Sequence, residues 1–303
     1  MAVDSDAYKL TQLSSESTKP LLYNERLIKA LYNKAVIKQV ATDKSDMLVG
    51  AGDTFNVYVR TAFSTPTSAL ADGATIDVTG VSHTPTQITI AYYGDAKQWT
   101  EQAKRAGFNF VFDDWAEDSL MAIGELHNAK GMAELIDGAS ATHYPFNSSG
   151  VRYTSADVDV SAVLQFEQLL GVQDAMYLNN MNLGTVFIDT RQRSQLMADS
   201  RIINSLFVSS QPVMSGVIPS ILGFNFVVSN AVQTSTENSK TVASAVCVAS
   251  EKDTFIFAEK VAPVFRIGRD SPRDLFESFV YFTAFGYKVV RSNGVIVAKS
   301  VVA

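Results

Sequence analysis

The sequence predicts an α+β fold, because strand patterns and one long helical pattern follow one another along a chain of 303 residues. Residues 52–63 alternate between apolar and polar side chains, which is typical of a strand with one buried face. Residues 114–137 place apolar side chains at helical spacing, over about 36 Å of helix. Near the C-terminus, two apolar runs at 279–290 and 295–302 flank an Asn-Gly pair, which predicts a β-hairpin with a two-residue turn.

The composition indicates a large core and few charges. Hydrophobic residues make up 47% of the chain and charged residues 18%, and the formal net charge is -6. These values exclude a disordered chain and a basic nucleic-acid-binding module, because both carry more charge. Low charge on a long chain also indicates that partners cover part of its apolar surface.

The single cysteine, Cys247, excludes an intramolecular disulfide and a cysteine-based zinc site. Its sequence neighbours are small and mostly apolar. They predict an inert, buried thiol, since reactive thiols need electropositive and partly exposed surroundings.

The sequence predicts neither a signal peptide nor a membrane span. Residues 1–13 carry Asp4 and Asp6 and lack the basic and apolar regions of a signal peptide. No apolar run approaches the roughly 18 residues that a membrane-spanning helix needs.

Positive charge is concentrated near the N-terminus, where residues 19–44 hold two acidic side chains, Glu25 and Asp43. The basic side chains of this stretch are Lys19, Arg26, Lys29, Lys34, Lys38 and Lys44. Apolar residues recur there at a spacing that fits one face of a helix. The stretch predicts a basic amphipathic helix, either an ordinary surface helix with solvated lysines or a face turned toward a polyanion or an acidic partner.

A long polar excursion separates two predicted strands. Residues 64–86 contain little apolar content, and residues 87–93 alternate again as a returning strand. A loop of this length cannot bury itself and is uncommon inside a compact domain. We therefore expect the excursion to be mobile or to pack against something else.

The long helix carries its own start and stop signals. Asp114 and Glu117 have the spacing of a capping box, and Gly138 is placed to end the helix. Its apolar positions spread over more than one face, so we expect the helix to be covered on several sides.

The second half of the chain begins after the turn-rich residues 147–150 and alternates helix with strand. Asp159 is expected to cap a helix that runs to about residue 178. The remaining predicted elements are a strand at 185–188, a short helix near 192–197, and strands at 221–229, 242–248 and 254–257.

The sequence offers little chemistry. His83, His127 and His143 lack metal-ligand spacing, and His127 is expected at the surface or partly buried in a hydrogen bond. Acidic pairs that could serve a glycosidase or a metal phosphatase are better explained as helix caps. These pairs are Asp113 with Asp114, Glu117 with Asp118, and Asp157 with Asp159. The sequence therefore predicts no catalytic, cofactor-binding or metal-binding residue.

The order of these features resembles the major capsid proteins of tailed bacteriophages that have the HK97 fold. The resemblance rests on four short sequence segments, namely GDTFNV at 52–57, ITIAYYG at 88–94, TVFIDT at 185–190 and SGVIPSILGF at 215–224. The first two are similar to the coat proteins of P22-like and N4-like podophages. The resemblance covers nearly the whole chain.

The resemblance implies a division of the chain. Residues 1–50 would form an N-terminal arm, and residues 51–140 a P domain with an extended E-loop at about 62–88 and the spine helix at about 114–137. Residues 141–270 would form the A domain, and residues 271–303 the C-terminal strands that return to the core.

The resemblance also implies function and partners. The chain would self-assemble into hexamers and pentamers of an icosahedral virion shell around double-stranded DNA, in the cytoplasm of a bacterial host. A separate scaffolding protein, a portal and a decoration protein would be its partners, with no cofactor and no membrane. Two alternatives stay open: an encapsulin-like nanocompartment shell, and an α/β enzyme with a carboxylate site.

Overall fold

The computed structural model describes residues 35–48, 52–60, 83–100, 112–203, 218, 220–269 and 276–302. These residues form two larger β-sheets, a two-stranded ribbon and a long helix. The α+β class predicted from the sequence is confirmed.

The first sheet contains the longest strands of the described chain. Its members are β1 (Thr42–Asp43), β4 (Ala91–Thr100), β10 (Phe255–Arg269) and β11 (Phe276–Val289). They lie in the order β1-β10-β11-β4, with β1 parallel to β10 and the other pairs antiparallel.

The second sheet lies in the second half of the chain. Its members are β5 (Ala141–His143), β6 (Thr185–Ile188), β7 (Asn225–Val228), β8 (Thr234–Glu237), β9 (Lys240–Val248) and β12 (Val295–Val301). Their order is β5-β12-β9-β6-β7, and β8 pairs with β9 beside that path. The ribbon is formed by β2 (Thr54–Arg60) and β3 (His83–Thr89), which are antiparallel.

Helices cover the second sheet on both faces. They are α1 (Phe112–Asp137), α2 (Phe166–Leu178), α3 (Thr190–Ala198) and the single turn α4 (Ser200–Ile203). Consecutive strand residues point to opposite faces. Phe187 accordingly packs in a core with Met132 and Leu135 of α1, while Val186 packs in a second core with Leu169 of α2 and Leu196 of α3.

The predicted C-terminal hairpin is wrong. β11 pairs with β10 and β4, whereas β12 pairs with β5 and β9, so the two strands belong to different sheets. Asn293 and Gly294 lie in a short 3-10 helix, Ser292–Gly294, that connects the sheets. The physical reason is burial, because most of β12 is buried and it has a neighbour on each side.

The single strand predicted at 87–93 is divided between two strands in the structure. Its pattern continues through Ile90, but β3 ends at Thr89 and β4 begins at Ala91, and the two join different sheets. The N–H of Ile90 donates to the carbonyl oxygen of Asp53 at 2.7 Å. That bond lies where the chain leaves the ribbon.

Two predicted helix starts need correction. α1 begins at Phe112, so Asp114 lies inside the helix and is not its cap. α2 begins at Phe166, seven residues after the predicted cap Asp159. The first N–H of α2 donates instead to the Oδ2 atom of Asp199 at 3.1 Å, a partner that is distant in sequence.

Other predictions are confirmed. The strand Thr185–Ile188 has the predicted bounds, the short helix forms as Thr190–Ala198, and α1 ends at Asp137 immediately before Gly138. Residues 234–237, for which the sequence predicted no element, form β8. Most of the predicted basic helix lies outside the described residues, whose first element is a 3-10 turn at Val36–Gln39.

Candidate functional site

The β2–β3 ribbon is anchored in the body by a small apolar core. Phe55 and Ile88, from the two strands, are buried with Ile90 and with residues of β10 and β11. A Cβ at Gly286 of β11 would lie 2.4 Å from the carbonyl oxygen of Thr89. Glycine at this position therefore lets the end of β3 approach the sheet closely.

A polar cluster on the surface supports the same anchor. The Oδ1 atom of Asp53 accepts hydrogen bonds from the Nζ atom of Lys260 at 2.5 Å and from the hydroxyl of Tyr92 at 2.9 Å. The bonds from Lys260 and Tyr92 lower the pKa of Asp53 below its ordinary value. Three separate elements are thus joined where the ribbon begins.

The ribbon extends beyond its anchor. The strand register runs from Thr54 opposite Thr89 to Arg60 opposite His83. Tyr58, near the far end, is 63% exposed, and its ring meets His83 edge-on at 6.4 Å. A two-stranded ribbon is marginally stable in water, so its far end needs contacts beyond this pairing.

Helix α1 is buried along one face. The buried side chains follow the helical repeat from Leu120 through Ile123 and Met132 to Leu135. Asp118, Glu125, Ala129 and Lys130 are exposed on the other side, and Met121 there is 49% exposed. The expectation that the helix is covered on several sides is not met by the described residues of a single chain.

The basic stretch is paired where it enters the described structure. The Nζ atom of Lys38 lies 2.9 Å from the Oε2 atom of Glu259, with the two side chains only 9% and 10% exposed. Lys38 also lies 4.3 Å from the ring centre of Phe257. Lys44 pairs with Asp253 at 2.9 Å. The prediction of a solvated or DNA-facing lysine is therefore wrong for Lys38.

The three histidines lie apart. His83 is exposed on β3, while His127 is fully buried in α1, which corrects its expected place near the surface. His143 lies on β5, where its Nδ1 atom is 2.8 Å from a guanidinium nitrogen of Arg152. Burial, followed by the charge of Arg152, lowers the pKa of His143.

The remaining candidate groups are also separate. Asp157 accepts hydrogen bonds from Thr154 in an exposed turn, so this residue does not lie at a helix start as predicted. Cys247 is fully buried in β9, and burial raises the pKa of its thiol to about 12, as expected for an inert thiol. Among the described residues, no group of three or more His, Cys, Asp or Glu side chains is arranged to hold a metal ion. No helix there is long and apolar enough to cross a membrane.

Sequence reasoning missed the partners that anchor these surfaces. Lys260 and Glu259 lie more than 200 residues from Asp53 and Lys38, their respective partners. Neither Lys260 nor Glu259 lies in a local sequence pattern that predicts its partner. Their roles depend on the position of β10 beside both the ribbon and the N-terminal segment. The local sequence does not predict that position.

No family model matches the chain, and no curated protein matches it. Solved structures do. A chain from Mycobacterium phage Che8 has a TM-score of 0.68 at 15% identity, over 87% of this chain and 90% of that chain. A chain from the capsid of cyanophage P-SCSP1u has a TM-score of 0.68 at 12% identity, over 87% of both chains. One from the capsid of Ralstonia phage GP4 has a TM-score of 0.64 at 11% identity, over 87% of both.

The chain therefore has the fold of bacteriophage capsid chains. This confirms the capsid fold that the resemblance to the HK97 group implied. At these identities the likeness concerns the fold, and the function follows as a proposal.

Proposed function

We propose that this chain is the major capsid, or coat, protein of a bacteriophage. Copies of it would assemble into the hexamers and pentamers of an icosahedral shell around double-stranded DNA, formed in the host cytoplasm. The observation that carries the proposal is the shared fold over 87% of the chain with a chain of a cyanophage capsid. The proposed role is structural and not enzymatic.

The proposed division of the chain follows the order of its elements. Residues 1–50 are the arm, and residues 51–140 are the P domain with α1 as its spine helix. The ribbon β2–β3 begins the E-loop of residues 62–88, and residues 141–270 are the A domain. The C-terminal residues 271–303 return to the core. The presence of two separate sheets supports a division into two parts. The sheets do not follow the proposed boundaries, because β10, within residues 141–270, pairs with β1 and β11 in the first sheet.

Two described surfaces support assembly with further copies. The ribbon extends from a small core and ends at the pair Arg60 and His83. The outer face of α1 exposes Met121 together with charged side chains and alanines. In a closed shell, these surfaces are covered by neighbouring copies, and many modest contacts add up over the particle.

The proposed contact with DNA rests on the remaining arm lysines. Lys38 and Lys44 are neutralised by Glu259 and Asp253. Lys29 and Lys34 lie outside the described residues and are the basic groups that we assign to the packaged genome. A scaffolding protein, a portal and a decoration protein complete the proposed set of partners.

The decisive experiment measures the size and shape of the full-length chain after expression in bacteria. We expect closed shells in negative-stain electron micrographs and megadalton species in sedimentation velocity. A monomer or a small discrete oligomer under all assembly conditions, including crowding agents that replace a scaffold, would overturn the proposal. Shells that contain a host enzyme bound through a peptide would instead identify a nanocompartment.

A further inference from the structure

His127 lies in a closed aromatic site beneath the N-terminal segment. Its ring stacks on Phe285 with 3.8 Å between ring centres and meets Tyr287 edge-on. The Nδ1 atom is 2.9 Å from the Tyr287 hydroxyl. The Nε2 atom is buried and has no hydrogen-bond partner among the described residues. The site therefore suits a neutral imidazole, because an imidazolium donates from both nitrogens.

The charges around this site do not favour a second cation. Lys38 of the 3-10 turn is paired with Glu259 of β10, and the charge of Lys38 acts on His127. Lys288 of β11 is paired with Glu134 of α1 at 2.7 Å. Tyr287 meets the His127 ring itself, Tyr93 of β4 packs on Phe285, and Lys130 of α1 lies over the ring of Tyr93. Glu259 and Glu134 are thus each engaged by a lysine, and the Oε1 atom of Glu259 is buried without a hydrogen-bond partner among the described residues.

The same site holds the start of the segment of residues 35–48 against the body. The N–H of Ile37 donates to the Oδ1 atom of Asn128 at 3.3 Å, one residue after His127. The Ile37 side chain fills the space above Gly131, where a Cβ would lie 2.3 Å from its Cγ2 atom. Further along, the segment is held by the pairing of β1 with β10, by the Lys44–Asp253 pair and by the buried Leu48. The contacts next to His127 therefore hold the 3-10 turn Val36–Gln39.

We infer that His127 is an acid-sensitive latch whose protonation releases the 3-10 turn Val36–Gln39 from α1 and from β10. An imidazolium next to Lys38 either needs water at its Nε2 atom or competes with Lys38 for the carboxylate of Glu259. Each route opens the contact between Lys38 and the body. This device is a property of the subunit and does not depend on the proposed function.

The direction of the pH effect follows from linkage. Burial, and then the charge of Lys38, lowers the pKa of His127 from 6.5 to about 3. The closed state therefore binds fewer protons than the open state between these values, and closure is fully stable only above pH 6.5. Opening of the turn is expected to increase about tenfold between pH 7.5 and 5.5, and about a hundredfold by pH 4.5.

Hydrogen exchange of the full-length chain tests the latch at pH 7.5, 5.5 and 4.5, after correction for intrinsic exchange. Peptides that cover residues 36–41 should lose protection on acidification, while peptides from α2 keep theirs. His127→Gln and His127→Phe remove the titration in two ways, one polar and one aromatic, and both should flatten the pH response. His143→Gln is the matched control, since His143 is also partly buried, and it should leave the response intact.

Several outcomes contradict the inference. Protection of residues 36–41 that stays constant to pH 4.5 would overturn it, and so would an equal loss in α2, which indicates global unfolding. A pH response that persists in a folded His127 variant would assign the effect to Glu259 or another carboxylate. If neither His127 variant folds, loss of the response in His143→Gln would transfer the role to His143.

Discussion

The ammonium of Lys38 lies 2.9 Å from the carboxylate of Glu259, and both side chains are nearly removed from solvent. The pair joins the first described turn of the chain to a strand more than 200 residues later. A basic residue that sequence patterning assigned to a charged surface is instead part of the packing between the N-terminal segment and the body.

Replacing Lys38 with Gln is expected to destabilise the subunit by about 3 kcal/mol, because a buried carboxylate would lose its counter-ion. Lys44→Gln is the matched control, since the Lys44 and Asp253 side chains are 30% and 38% exposed, and it should change stability by less than about 1 kcal/mol. Denaturant unfolding of the unassembled subunit measures both. Equal losses of unfolding free energy in the two variants would show that burial does not make the Lys38 pair more important for stability than the Lys44 pair.

Gly131→Ala should lower stability by about 1 kcal/mol or more, although alanine ordinarily favours a helix. The added Cβ would lie 2.3 Å from the Cγ2 atom of Ile37, which is a stiff, β-branched side chain. Ile37→Leu removes this branch, so the double variant should be less destabilised than the sum of the single variants. If the losses of stability in thermal unfolding are additive, the added Cβ does not clash with the branch of Ile37.

The excursion beyond the ribbon can be removed without breaking the strand pairing. Arg60 and His83 are directly opposite, so replacing residues 61–82 with Asn-Gly gives a two-residue hairpin turn. We expect a folded subunit with an unchanged circular dichroism spectrum that no longer forms shells in electron micrographs. Normal shells from this variant would remove the assembly role that we propose for the excursion.

The buried thiol of Cys247 gives a prediction with a definite pH sign. Burial raises its pKa to about 12, so little thiolate exists at pH 8, and labelling of the native chain by a disulfide reagent should be about a thousandfold slower than for a free thiol. Because the folded pKa lies above the ordinary value, this group favours folding below pH 9 and loses that contribution as pH rises toward 12. Cys247→Ala provides the labelling background, and rapid stoichiometric labelling of folded protein would contradict the assignment.

Local elements were predictable where one face or one cap decides the structure. The strand Thr185–Ile188 is a short, mostly apolar run between Gly184 and Asp189, and Asp189 with Gln192 forms a capping box at the start of the next helix. By contrast, α2 has no side-chain cap of its own, and its first N–H is satisfied by the distant Asp199. A helix start of this kind cannot be predicted from the neighbouring sequence.

The sequence by itself determined the α+β class, the long helix, most strands and the isolation of Cys247, because periodicity and local polarity report backbone conformation and burial. Only the tertiary structure decided which strands pair. An Asn-Gly pair between two apolar runs predicts a hairpin locally, yet β12 pairs with β5 and β9 and is buried there over most of its length. The same holds for Lys38, whose burial depends on Glu259. Strand pairing and charge neutralisation join residues that are distant in sequence. Their free energies depend on the burial that the assembled core provides.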